Sequence, residues 1–134
     1  MITISTDINA DPQKVWSRYT QPEHIVNWNF ASDDWHCPSA ESDLRVGGRY
    51  SARMEAKDAS FGFDLSAVYD EIIDGEKIVY TLEDGRKVTT EFKVNGDMLT
   101  VSTTFEAENE NSLEMQRDGW QAILDNFKKY AESE

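Results

Sequence analysis

The sequence predicts an α+β domain: a curved antiparallel sheet wrapped around one long C-terminal helix, with two short helices after the first strand. Three observations predict it. Apolar residues recur at every second position through most of residues 50–105. The turns between those runs are so short that only antiparallel pairing fits them. From Leu113 onward the apolar spacing becomes three and four, the mark of an amphipathic helix.

The elements follow in order. In residues 2–9, Ile2, Ile4 and Ile8 share a face with Thr6 in phase, and Thr3, Ser5 and Asp7 lie opposite, which is a half-buried strand. Asp11-Pro12 supplies an N-cap and a proline at the first helical position. Val15, Trp16 and Tyr19 then fall at helical spacing. Gln21-Pro22 interrupts that helix and starts a second through His24, Ile25 and Trp28. Residues 29–48 read as a long irregular stretch, and Gly47-Gly48 as a turn entering a strand at Arg49. Tyr50, Ala52 and Met54 share a face. So do Phe61, Phe63, Leu65, Ala67 and Tyr69. Residues 77–82 form another strand, and Glu83-Asp84-Gly85-Arg86 is a hairpin turn. Val88, Thr90, Phe92 and Val94 alternate with Lys87, Thr89, Glu91 and Lys93. Asn95-Gly96 is the best short hairpin signal in the chain, and residues 98–107 make the last strand. About five strands therefore follow the short helices. Asn111 or Ser112 caps the last helix. Its apolar face is Leu113, Gln116, Trp120, Ile123, Leu124, Phe127 and Tyr130, and Lys128 and Lys129 sit where cations suit the dipole.

Composition narrows the function classes. The chain has 134 residues, 39% of them hydrophobic and 11% aromatic, enough for a core that hides about two-thirds of the unfolded surface. Lys plus Arg number 13 against 26 Asp plus Glu, a net charge of −13. That charge disfavours nucleic acid and anionic membrane surfaces. No window approaches the roughly 18 apolar residues of a membrane span. The N-terminus lacks the layout of a secretion signal, and a single cysteine makes no internal disulfide. These readings predict an acidic, cytoplasmic, single-domain protein over residues 1–134.

In this order the elements form the helix-grip pattern, and the residues fit a family. The pieces are Ala10 with Val15-Trp16, PEHIVNW ending at Trp28, LRVGGRY at 44–50, and FGFD at 61–64. YTLEDGR at 80–86, VSTTFEAE at 101–108 and GWQAILDNFKKY at 119–130 complete them. The chain resembles the activator-of-heat-shock-protein-90-ATPase-like group of the START-like (SRPBCC) superfamily. That superfamily hosts lipid carriers, polyketide cyclases, hormone receptors and chaperone regulators, so the resemblance implies the fold more sharply than the activity. It also implies that the loop at 28–38 flanks a cavity mouth. The eukaryotic activator carries a further N-terminal domain, for which these residues leave no room.

A helix gripped by a curved sheet leaves a wedge-shaped interior, which becomes a ligand cavity where side chains do not fill it. Trp28, Trp35, Tyr50, Phe61, Phe63, Tyr80, Phe92 and Trp120 are the aromatic candidates to face it, with Met54 adaptable among them. The predicted ligand-binding residues are Trp28, Trp35, Tyr50, Met54, Phe63, Tyr80, Phe92, Gln116, Trp120 and Leu124. Arg53, Arg86, Asp64 and Tyr80 sit in or beside strands, where an inward charge would have to be paired and could set a cavity's polarity. Periodicity puts Arg53 and Asp64 on the outer face, and Tyr80 is the candidate inward hydroxyl. Gly119 inside a helix calls for an offset, either tight helix–sheet packing or room for a ligand. Gln116 on the apolar face either orients a ligand or caps a loop. His36-Cys37 lacks zinc-ligand spacing and a catalytic partner, so no metal and no catalytic residue is assigned. Asp33-Asp34, Glu83-Asp84 and Glu106 with Glu108 and Glu110 read as solvated surface.

The leading functional expectation is binding of a small hydrophobic or amphipathic ligand, with no cofactor and no chemistry of its own. The alternatives are a polyketide cyclase- or hydrolase-like enzyme, with tyrosine or one of the two histidines moving a proton, and a regulator of a chaperone ATPase acting through its acidic surface. A homodimer is expected only on the frequency of two-fold assemblies.

Overall fold

The structure is a computed structural model and describes residues 1–96, 98–108 and 111–133. Among them seven strands form one sheet: β1 (Ile2–Ile8), β2 (Trp35–Ser42), β3 (Arg49–Ala56), β4 (Gly62–Ile73), β5 (Lys77–Leu82), β6 (Lys87–Asn95) and β7 (Met98–Phe105). Three helices accompany them, α1 (Pro12–Thr20), α2 (Pro22–Ile25) and α3 (Leu113–Glu132). The strand order is β1-β7-β6-β5-β4-β3-β2, every pairing antiparallel. The sheet curls around α3, as the helix-grip pattern predicts.

Local chemistry sets the ends of these elements. The Asp11 carboxylate accepts from the Gln13 N–H at 3.0 Å, and Pro12 begins α1. Ser112 rather than Asn111 caps α3, its hydroxyl accepting from the Met115 N–H at 3.1 Å. Gly96 follows β6 at φ +67°, a backbone state that tight hairpins need and glycine adopts without strain. At Gly48 a side chain is excluded outright, because a Cβ would lie 2.0 Å from the Asp43 carbonyl oxygen. The loop there docks on β4, with the Tyr69 N–H donating to the Gly48 carbonyl. Those contacts accord with the turn expected at Gly47-Gly48.

Three expectations need correction. Residues 29–48 are not irregular throughout, because Trp35–Ser42 form edge strand β2, so six strands follow the short helices. The register slips between His36 and Ser39, and Pro38 lies inside the slip. A bulge with a proline destroys the alternation by which a strand is read, and both features are tolerated at an edge. The second helix ends at Ile25 and not at Trp28, and the last strand ends at Phe105 and not at 107.

The strand order positions the interior. Strands β1 and β2 lie at opposite edges, so the chain between them must cross the whole sheet. It crosses through α1, α2 and residues 26–34, and it closes one end of the grip. There Phe127 of α3 is fully buried, with Tyr19 edge-on at 5.0 Å and Trp28 at 4.8 Å. The Trp28 indole N–H donates to the Arg18 carbonyl at 2.9 Å, so no buried polar group is left over. Trp120 stacks on Phe105 at 4.1 Å and fixes the middle of α3 against β7. On the outer face Arg53 pairs with Glu55 at 2.9 Å and Asp64 at 3.5 Å, as the periodicity predicts. Glu110 lies outside the described residues.

Candidate functional site

Beyond Trp28 and Phe127 the grip is not filled. A cavity of about 250 Å³ lies between α3 and the concave face. Helix α3 contributes Gln116, Trp120, Ile123 and Leu124 to its wall. The sheet contributes Ile4, Tyr50, Met54, Phe63, Leu65, Tyr80, Leu82 and Thr103, and Tyr19, Trp28 and Asn29 close the inner end. Met54, Phe63, Gln116, Trp120 and Ile123 also line a more open outer pocket of about 340 Å³, together with Trp35, Met115 and Gly119. The cavity therefore opens through a vestibule, to which the crossing chain lends Ala31 and Ser32 and the start of β2 lends Trp35.

The structure sorts the predicted residues plainly. Trp28, Tyr50, Met54, Phe63, Tyr80, Gln116, Trp120 and Leu124 line the cavity, and Trp35 stands in the vestibule. Phe92 is not in either wall. It is buried under α1, edge-on to Trp16 at 5.2 Å and to Tyr19 at 5.4 Å, and belongs to the closed end. Phe61 does not face inward but is 62% exposed, resting against Trp35 and Phe63. The tight packing considered for Gly119 is absent, since a Cβ there would meet nothing within 4 Å. Gln116 is spent on the loop before α3. Its carbonyl accepts from the Glu108 N–H at 2.8 Å, and its amide donates to the Glu108 and Asn111 carbonyls at 3.2 and 2.8 Å. Both amide hydrogens are used, so it is a loop clamp that happens to form wall.

Neither histidine reaches the cavity. His24 Nδ1 lies 2.6 Å from the Tyr130 hydroxyl, and His36 faces Glu55 at 3.8 Å on β3. Cys37 is buried, and burial pushes its thiol pKa up, away from the reactive thiolate. Among the described residues no three His, Cys, Asp or Glu side chains could hold a metal ion. The remaining titratable groups at the inner end are phenols. Burial drives the pKa of Tyr50 and Tyr80 well above 10.0, with neighbouring phenols adding to the effect. Both are therefore neutral hydrogen-bond donors at any physiological pH.

The family is now decided. Residues 9–132 match the family described as activator of Hsp90 ATPase homolog 1-like protein. The chain belongs to that family. Its members share the START-like helix-grip fold. The chain is similar to an AHSA1-like protein from Aeromonas hydrophila (38% identity, TM-score 0.89, 98% of this chain and 92% of that one). It is similar too to a protein from Cytophaga hutchinsonii (43% identity, TM-score 0.85, 98% and 91% covered). A protein from Chromobacterium violaceum at 23% identity shares the fold along the full length of both chains, with a TM-score of 0.85. No curated protein matches the chain.

Within this family fold, sequence reasoning missed several wall residues. Ile4, Leu65 and Ile123 already lay on the right faces, and only their neighbourhood was unknown. Asn29 carried no signal, yet it is buried and its amide donates to the Tyr50 hydroxyl at 3.3 Å. Arg86, a candidate polar side chain beside a strand, folds back to the cavity rim. Its Nε donates to Asp84 at 2.7 Å and its Nη1 to the Glu106 carbonyl at 3.4 Å. Glu108, the other charge at the rim, accepts from Asn111. No helix among the described residues is long and apolar enough to cross a membrane.

Proposed function

We propose that the protein binds a small hydrophobic or amphipathic ligand in the hollow between α3 and the sheet. The observation that carries this reading is an unfilled, mostly apolar cavity of about 250 Å³ that opens through a vestibule beside Gly119. Ligand sites are concave, apolar and provided with few polar groups. This hollow fits that description, with charges only at its rim. The chemistry of the wall favours binding over turnover. Neutral phenols can donate hydrogen bonds, but among the described residues no histidine or carboxylate stands beside them to accept a proton.

The expected affinity is modest. Enclosing about 300 Å² of apolar ligand surface, at about 25 cal/mol per Å², gives about 7.5 kcal/mol before the cost of immobilising the ligand. That corresponds to a Kd of roughly micromolar or weaker. The test is titration with the neutral fluorescent probe N-phenyl-1-naphthylamine, with Gly119→Phe as the blocking variant. The phenyl group enters open vestibule, so the helix gains up to about 0.5 kcal/mol from losing its glycine. Probe binding should meanwhile weaken by at least about tenfold, roughly 1.4 kcal/mol. A folded wild-type protein that shows no saturable binding, or a variant that binds as well as wild type, contradicts the reading. Native mass spectrometry of protein purified from its own cells then identifies the resident molecule.

A further inference from the structure

The polar groups at the inner end of the hollow restrict what can enter it. Most of its hydroxyls are already partnered. Tyr19 bonds Thr90 at 3.3 Å, Thr90 bonds Thr103 at 3.1 Å, and Tyr69 bonds Ser42 at 2.7 Å. Tyr80 differs. It is 8% exposed and lines the cavity, and its hydroxyl makes no hydrogen bond to any described residue. No fully buried side-chain oxygen or nitrogen among the described residues lacks a partner, so the Tyr80 oxygen must face open volume. Its neighbour Tyr50, ring to ring at 5.7 Å, accepts a hydrogen bond from Asn29, which leaves its own proton undirected. The hollow thus presents two unspent O–H donors, carried on neighbouring rings.

An acceptor has to answer two donors. A carbonyl oxygen has two lone pairs and can take both. We propose, building on the binding reading above, that Tyr50 and Tyr80 hold one uncharged carbonyl oxygen at the leading end of the ligand. The ligand class is then an apolar molecule carrying a ketone, ester or amide carbonyl at one end. A carboxylate fits less well at this end, because no cation lines it. Arg86 is the only cationic side chain among the described wall residues, and it stands at the rim bonded to Asp84. Burial of an anion without a cation is costly, as the upward shift of the phenols themselves attests.

The nearest competing explanation is water. A void of about 20 Å³ between Tyr19, Tyr50, Tyr69 and Tyr80 has room for one molecule, which would occupy the same hydroxyls. Calorimetric titration with three matched probes separates the possibilities: 2-acetylnaphthalene, 2-ethylnaphthalene and 2-naphthoate. Wild type should prefer the ketone over the hydrocarbon by about fivefold or more, the worth of one to two net hydrogen bonds. The naphthoate should bind more weakly than the ketone. Tyr80→Phe should bring the ketone to within about twofold of the hydrocarbon, with a cooperative unfolding transition showing that the variant folds. Tyr50→Phe should lower the preference in the same direction. A preference that survives both substitutions, no preference in wild type, or tightest binding of naphthoate overturns the assignment while the cavity reading stands. Failure of every probe to bind overturns both.

Discussion

The two ends of α3 lie against the same sheet and are built from the same kind of residue, yet they do opposite things. Toward its C-terminus Leu124, Phe127 and Ala131 are buried, and Tyr19 and Trp28 pack on Phe127 within about 5 Å. Toward its N-terminus Leu113 and Met115 are each 63% exposed, and Gly119 faces open space. The difference does not come from the helix, whose apolar stripe runs its whole length. It comes from the crossing chain. Helices α1 and α2 close one end of the curled sheet, and no described element closes the other. Aromatic residues that would be core under α1 become wall and rim beyond it. Phe92 and Phe63 illustrate this: both alternate correctly on their strands, but one is sealed beneath Trp16 and the other is 40% exposed at the mouth.

The sharpest way to break this comparison is to truncate at each end. Phe127→Ala should cost about 3–5 kcal/mol in denaturant unfolding, the range for deleting a fully packed aromatic. A cost under about 1 kcal/mol would mean that the closed end is not the packed one. Leu65→Ala, in the cavity wall, should cost less, about 1–2 kcal/mol, because its side chain already borders a void and loses fewer contacts. If Leu65→Ala proves as damaging as Phe127→Ala, the hollow is filled in solution.

A third prediction uses pH. Burial raises the folded-state pKa of Tyr50 and Tyr80 above their unfolded value of 10.0. Their contribution is fully present below about pH 10. Above that, the unfolded chain releases phenolic protons that the folded chain keeps, so stability falls as pH rises. The thermal midpoint should therefore drop between pH 9 and pH 11, and Tyr80→Phe should flatten the drop. An identical slope in the variant would mean that Tyr80 is not buried. The smallest effect belongs to the rim. Phe61→Ser should shift stability by no more than about 0.5 kcal/mol in the same unfolding assay, as for other exposed positions.

Much of this architecture was legible because period two and period three-to-four are direct consequences of backbone geometry. Strands β3 to β7 and helix α3 announced themselves that way, and Asp11-Pro12 announced α1. Strand β2 was hidden, since a bulge at Cys37-Pro38 breaks the very period by which a strand is read. The wall of the hollow was legible only as a face. Alternation says that Phe92 and Tyr80 point inward, but it does not say which inward residues lie under α1 and which border empty space. Gly119 was the exception, because a glycine inside a helix signals locally that something unusual lies opposite. Asn29 was out of reach, since a loop asparagine acquires its cavity role only through tertiary placement, whereas Arg86 was legible as a polar candidate beside a strand but not as a rim residue.

The central claim is that the hollow at the open end of the grip admits a ligand. Methyl-selective NMR of the whole protein during titration with N-phenyl-1-naphthylamine tests it most directly. Ile4, Leu65, Leu82, Ile123 and Leu124 line the hollow, whereas Val15, Val88 and Val101 are buried elsewhere in the core. The account predicts saturating shifts in the first group and silence in the second. Shifts confined to exposed methyls such as Val46 and Val94, or no shifts at all, would contradict it.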